Sequence, residues 1–298
     1  MKSQKIICFG EILWDLFPEG KKLGGAPFNV ASSLHDLGAH VSFISRIGQD
    51  ELGDELLQQV KKKGIITDHI QTDAKHETGK VLIRLNEKGS AEYEIKPNQA
   101  WDFIEVTSEA IALTSNADAL IFGSLACRGK SYKALSFLME HAAFSVFDLN
   151  LRPPFFTYTL LEELMQNANM LKFNDEELYQ IAEMMGSPYH SMDQHILYLS
   201  KRTNTEMICV TKGMFGAVLF SRGKWFFNSG YQVEVQDTVG AGDSFLATLI
   251  YHILQETPLQ QAVDRACAMG AIVAGSHGAN PTISPKDLDA FMGNELEH

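Results

Sequence analysis

The stretch Val235–Phe245 (VQDTVGAGDSF) gathers residues suited to anion chemistry. Gly240, Ala241 and Gly242 stand just before Phe245, Leu246, Leu249, Ile250 and Ile253, whose spacing marks one face of a helix. Small residues at a helix start leave the first-turn N–H groups free to point at an anion. The helix dipole adds positive potential at the same place. Asp243 is repelled by such an anion unless it has a task there. That task would be to accept the proton of a hydroxyl attacking a phosphoryl group. The same aspartate also fits an ordinary helix cap. Upstream, the run ending in Val233 and Val235 alternates as a strand does.

Other polar groups are placed where ligands gather. Asp15 lies in EILWDLFPEG, where apolar and polar residues mix without a helical period. Gly24, Gly25, Ala26 and Pro27 form a turn that starts a helix, with Asn29 in its first turn. Asp148, Asn150 and Arg152 alternate after a short apolar run, so they are expected on one side of a strand's C-terminal end. Open parallel sheets bind ligands at that edge. The competing reading is a surface Asp148–Arg152 pair, worth under about 1 kcal/mol. Asn174-Asp175-Glu176-Glu177 opens another helix, and acids there also suit the dipole alone. Thr211–Gly216 (TKGMFG) is a second glycine-bearing turn, whose Lys212 either meets phosphate or faces water.

Asp237, Thr238, Gly240, Ala241, Gly242 and Asp243 match, without a gap, the Asp-Thr-x-Gly-Ala-Gly-Asp signature of ribokinase-like (PfkB) sugar kinases. The stretch from Gly24 through IGQDELGDEL resembles that family's first signature. The likeness spans essentially the whole chain. It implies an α/β, three-layer ribokinase-like fold, with a mostly parallel central sheet flanked by helices and a small β-sheet lid over the sugar. It also implies that Asp15, Gly24, Gly25 and Asn29 hold sugar hydroxyls. The segment DLNLR looks like the Asp-x-Asn-x-Arg of fructokinase-type members, whose arginine, here Arg152, reaches the substrate or the transferred phosphate. Asn174 and Glu177 match an Asn-x-x-Glu that helps place Mg²⁺ and its water beside the phosphates. By the same likeness Thr211, Lys212, Gly213 and Gly216, with Gly240 and Gly242, contact the nucleotide. His277 would lie on the adenine side, and the loop of Asp237 and Thr238 would help hold a monovalent cation such as K⁺.

The elements that must position these residues form a strand–helix series. Ile6–Phe9, Val41–Ile47, Ala119–Phe122, Ser145–Phe147, Met170–Phe173 and Met207–Val210 are expected as strands, with helices between them. Val81–Leu85 and Glu92–Ile95 alternate around a glycine-bearing turn, which predicts a hairpin outside the buried sheet. Ala217–Phe220 and Trp225–Phe227 predict a second hairpin, at the sheet edge. The whole of 1–298 is expected as one domain, with a lid from about 12–24 and 78–103.

Composition narrows the partners. The chain has 298 residues, 45 % of them hydrophobic, and a net charge of −12, which argues against nucleic acid or an anionic membrane. No apolar run approaches a membrane span, and Glu11 interrupts KSQKIICFGE too soon for a signal peptide. Cys8, Cys127, Cys209 and Cys267 are scattered in apolar stretches, as expected of buried thiols in a cytoplasmic protein. There is no Gly-x-x-x-x-Gly-Lys-Ser/Thr, and Phe245 stands where a dinucleotide motif needs its third glycine.

The expected activity is therefore ATP-dependent phosphorylation of a hydroxymethyl group on a sugar. Asp243 is the base, and the N–H groups of Gly240, Ala241 and Gly242 stabilise the phosphoryl oxygens. GGAPFNVA, with Arg152, favours D-fructose. 2-Keto-3-deoxygluconate and ribose are the alternatives, and a catalytically silent sugar-binding regulator is the reading from another class. The partners are a sugar and ATP, with a homodimer formed through the lid as a further expectation.

Overall fold

The computed structural model describes residues 4–18, 20–85, 91–276 and 281–295. Its framework follows from strands apolar on both sides, such as β1 (Lys5–Phe9), buried from Ile6 to Phe9. Such a strand must have layers above and below it. Ile6 and Cys8 pack into one hydrophobic cluster and Ile7 and Phe9 into another, so β1 is the floor of two cores.

The large sheet also contains β4 (His40–Gly48), β5 (Ile70–Asp73), β8 (Ala119–Gly123), β9 (Ser145–Asp148), β10 (Met170–Asn174), β11 (Met207–Thr211), β12 (Ala217–Ser221) and β13 (Lys224–Asn228). Its nine strands run in the order β13-β12-β11-β10-β9-β8-β1-β4-β5. All neighbours are parallel except β11–β12 and β12–β13, the hairpin expected at the edge. On one face lie α1 (Ala26–Asp36), α2 (Glu51–Lys62), α8 (Ala241–Leu254) and α9 (Leu259–Ala274). On the other lie α3 (Ser108–Ser115), α4 (Gly129–Met139), α5 (Tyr158–Asn167), α6 (Asp175–Met184) and α7 (Met192–Thr203). A last helix, α10 (Pro285–Glu295), follows α9. The three-layer α/β architecture with a mostly parallel sheet is as expected.

A second sheet has the order β3-β2-β6-β7, from β2 (Leu13–Phe17), β3 (Gly20–Gly24), β6 (Gly79–Leu85) and β7 (Ala91–Ile95). The β6–β7 hairpin is antiparallel as expected, and the residues of its turn, 86–90, lie outside the described ones. The sheet is not antiparallel throughout, because β2 pairs parallel to β6. Leu13 and Val81 form its own small cluster with Phe17 and Ile95. Trp101 is fully buried and serves as packing, while Phe103 stacks on His76. All four cysteines are free and buried. No helix among the described residues is long and apolar enough to cross a membrane.

Two sequence expectations are corrected. The run through Val233 and Val235 is not a strand: it crosses open in an extended loop, and Val235 is 57 % exposed. Alternation reports extended backbone, but a strand also needs a partner edge. The backbone N–H groups of Gln236 and Asp237 donate instead to Ala274 O, at the end of α9. Likewise Asp148, Asn150 and Arg152 do not share one side of a strand. β9 stops at Asp148, and Asn150 turns the chain away with φ of 38°.

Candidate active site

The anion cradle is built at the start of α8. Gly240, with φ of 79°, is the left-handed residue preceding the helix, and no side chain caps this end. A residue with a Cβ would be strained there. Its carbonyl accepts from Ser244 N at 2.9 Å, while Ala241 N donates to Thr238 O at 3.3 Å. The first turn of α8 thus presents backbone N–H groups to the cleft with only small residues around them.

Asp243 lies in that turn and meets α1. Asn29 Nδ2 donates to Asp243 Oδ2 at 2.8 Å, and Ser33 and Ser244 hydroxyls sit 3.0 Å apart one turn along. Two helix N-termini are thereby held side by side, with Asn29 only 5 % exposed. Burial raises the Asp243 pKa above the usual carboxylate range, against the hydrogen bond from Asn29 and the charges of Lys172 and Arg152. A carboxylate so placed is a stronger proton acceptor than one in water.

Lys172 is the feature the sequence reading missed. It lies in β10 and is 6 % exposed, with its Nζ 2.9 and 3.1 Å from the two Asp148 oxygens. Asp148 is therefore the partner of Lys172 and not of Arg152, so the surface-pair reading is also excluded. A Cβ on Gly242 would lie 3.4 Å from Lys172 Nζ, which puts the ammonium directly under the cradle. Burial alone would lower the Lys172 pKa, but the charges of Asp148, Glu177 and Asp243 raise it. Burial lifts Asp148 to about 6 against the pull of Lys172. The available signal was a lone cation inside the apolar strand MLKFN.

Asn174 and Glu177 close the N-terminus of α6 as a reciprocal cap: Glu177 N donates to Asn174 Oδ1 at 2.7 Å, and Asn174 N to Glu177 Oε2 at 2.9 Å. Glu177 Oε1 accepts from Leu151 N at 2.8 Å, which fixes the loop carrying Arg152. The buried Glu177 so ties β9 to α6 beneath the site.

In the small sheet, Asp15 in β2 packs so tightly against Gly24 in β3 that a Cβ at Gly24 would collide with its carboxylate. Gly25, φ 109°, lies against the Glu11 carbonyl, 2.5 Å from where its own Cβ would be. Burial raises Asp15 to about 6, moderated by Arg152 and Lys22. Arg152 is exposed, donates to its neighbour's carbonyl at 2.9 Å, and stands within electrostatic reach of Asp15, Asp243 and Glu11.

A cleft of about 830 Å³ runs from the cradle between α6, α8 and α9, lined in part by Asn174, Thr211, Gly213, Gly216, Thr238, Ala241 and Gly242. Of the expected nucleotide contacts, Asn174, Thr211, Gly213, Gly216 and Gly242 line it together, while Gly240 does not. Lys212 and Asp237 adjoin the cleft in sequence without lining it, and His277 lies outside the described residues. Tyr231–Val235, Gly270 and Ala271 also line the cleft and were not anticipated as lining. Among the described residues no three His, Cys, Asp or Glu side chains cluster to hold a metal.

The model of the pfkB family of carbohydrate kinases matches residues 4–287 of this chain. The fructokinase of Escherichia coli is 28 % identical over 93 % of this chain and 95 % of its own. Among solved structures, a fructokinase from Xylella fastidiosa with bound ATP has a TM-score of 0.86 at 22 % identity, covering 99 % of this chain and 100 % of that one. A 2-dehydro-3-deoxygluconokinase from Thermotoga maritima has a TM-score of 0.85 at 20 % identity, covering 98 % and 99 %. At such identities the structural likeness gives the fold alone, shared by enzymes for different sugars.

Proposed function

Since the chain belongs to the pfkB family of carbohydrate kinases, we propose that it transfers the γ-phosphoryl group of ATP to a hydroxymethyl group of D-fructose. The observation that carries the reading is the Asn29–Asp243 bond. It joins α1, which follows Gly24 and Gly25, to the anion cradle on α8, so a sugar hydroxyl held by Asp15 and Asn29 meets a phosphoryl group held by the cradle. Asp243 takes the hydroxyl proton as the oxygen attacks phosphorus. The N–H groups of Gly240 and Gly242, with the helix dipole, stabilise the charge on the phosphoryl oxygens, while that of Ala241 is held by Thr238 O. Lys172, fixed by Asp148 beneath the cradle, offsets the negative charge that Asp243 and the phosphates bring together. Closure of the β3-β2-β6-β7 sheet over the sugar keeps water from the phosphoryl group.

Mg²⁺ carried on the triphosphate would neutralise part of its charge. Asn174 and Glu177 are the residues that would hold its waters, each Glu177 oxygen keeping one lone pair beyond its backbone bond. Asp237 and Thr238 are proposed to help hold a monovalent cation, and the buried free thiols accord with a reducing cytoplasm.

The test is ADP release with Mg²⁺ and ATP on fructose, ribose, adenosine and 2-keto-3-deoxygluconate, compared as kcat/KM. Fructose is expected to lead. One observation favours a second reading: the exposed Arg152 guanidinium faces the sugar side, where it could clamp a carboxylate. A keto acid turned over at least tenfold better than fructose would establish that reading instead. Binding of sugar without any turnover would mean a regulator.

A further inference from the structure

Glu11 and Arg128 take no part in the chemistry above, yet both lie beside the small sheet: the Glu11 carbonyl is against Gly25, and Arg128 stacks on Trp101, whose ring abuts Gly79. Glu11 follows β1, is 2 % exposed, and its Oε2 has no hydrogen-bond partner among the described residues. That oxygen has lost its hydration without a hydrogen bond in return, which is costly unless a ligand completes it. Its charged surroundings are Arg152, Arg128 and Asp243, the last being the proposed base, with the Cys127 thiol beside it. Arg128 precedes α4 and is held on every side but one. Its guanidinium lies 4.3 Å from the ring centres of both Trp101 and Phe155. Its Nε donates to Asp102 at 2.6 Å and its Nη2 to the Lys96 carbonyl at 3.3 Å. The remaining nitrogen, Nη1, is buried and has no partner among the described residues. A planar cation clamped between two rings cannot swing away to find one.

One unsatisfied acceptor and one unsatisfied donor are therefore buried within electrostatic reach of each other and of Asp243. We propose that Glu11 and Arg128 form the inner wall of the sugar subsite, where Glu11 Oε2 accepts from a substrate hydroxyl and Arg128 Nη1 donates to one. A hydroxyl does both at once, so a polyol is the chemistry that completes the pair. The inference rests on the reading of the chain as a sugar kinase and adds a specificity element to it. Asp15 and Asn29 grip the sugar from the lid and from α1, while Glu11 and Arg128 read its far side. A sugar lacking the matching hydroxyl leaves both groups unpaired, which is the arrangement that discriminates most strongly. Burial holds Glu11 well up, to about 7, against Arg152 and Arg128, in keeping with a site completed by a ligand.

The experiment uses fructose and its monodeoxy analogues, each lacking one hydroxyl, with wild type, Glu11→Gln and Arg128→Met. Both variants should raise the fructose KM about 10- to 100-fold, with the ATP KM within twofold and kcat within a few-fold. For one monodeoxy sugar, wild type and variants should converge on the same kcat/KM, because the bond in question is already gone. A variant that loses the same factor on every sugar, or whose ATP KM and kcat move with the fructose KM, makes the pair merely structural and overturns the inference. Should a variant fail to fold, wild type alone decides: loss of under about threefold for every monodeoxy analogue overturns it as well. A wild type inactive on every sugar fails the proposed function itself, and is thereby told apart from an active wild type indifferent to these hydroxyls.

Discussion

Replacing Asp243 with asparagine separates proton acceptance from everything else this residue does. The substitution keeps size and shape, and the amide oxygen can still accept from Asn29 Nδ2, a bond of 2.8 Å in the native chain. The junction of α1 and α8 should therefore hold, and unfolding free energy should change by no more than about 1 kcal/mol. What disappears is the basic oxygen. Loss of a positioned general base costs roughly 10²–10⁴ in rate, or about 3–5 kcal/mol in the barrier at 1.36 kcal/mol per decade. The cradle of Gly240, Ala241 and Gly242 survives, so residual turnover should stay above the uncatalysed rate. ATP should bind as well as before, or slightly better, because a carboxylate beside its phosphates is gone. The assay is steady-state ADP release, with calorimetric titration of sugar and ATP and a melt to certify the fold. Turnover within a few-fold of wild type, in a folded variant, would refute the reasoning and leave Asp243 as a link between α1 and α8.

Glu177→Gln places an amide NH₂ against one of two backbone donors, Asn174 N or Leu151 N. It should cost roughly 1–3 kcal/mol in urea unfolding and raise the Mg²⁺ needed for half-maximal rate more than the sugar KM. A raised sugar KM with unmoved Mg²⁺ dependence would remove Glu177 from the metal's surroundings. Lys172→Met takes away one of the charges that hold the Asp243 pKa down, so that pKa must rise further. The active form is the ionised one, and the acid limb of kcat/KM should move to higher pH; a limb that stays in place contradicts the assignment. The same change strips the buried Asp148 of its cation, a loss of about 3–5 kcal/mol, less whatever protonation of Asp148 recovers. At Asp73, burial favours the neutral acid, but His76, the Lys75 and His76 N–H groups and Arg46 outweigh it and hold the pKa at about 2. Between that value and the unfolded-state value near 3.9 the unfolded chain binds more protons, so the contribution is complete above that window. It should fall away as pH drops toward 2, by about 2 kcal/mol. Asp73→Asn should flatten this acid arm of the unfolding curve, and an unchanged arm would show that other carboxylates set it.

What the sequence determined by itself is what local pattern encodes. The turn at Gly240–Gly242 and the apolar face of α8 are set by residues within two helical turns of one another. The strands of the large sheet announce themselves as short apolar runs, except β5 (IQTD), which was not expected, and the two hairpins as alternation around a turn. Asp243 stood out because a carboxylate there conflicts with the site around it. The tertiary structure decided which of these residues meet. Asn29 and Asp243 are 214 positions apart, and nothing in either neighbourhood announces the bond between them. Lys172, Glu11 and Arg128 sit in apolar or unremarked stretches, and their meaning comes from burial beside partners in other elements. The extended loop of Tyr231–Val235 carries a strand's alternation, yet it joins no sheet among the described residues and lines the cleft instead. Period and propensity act over a few residues, whereas burial, pairing and charge are set by whatever the folded chain brings alongside.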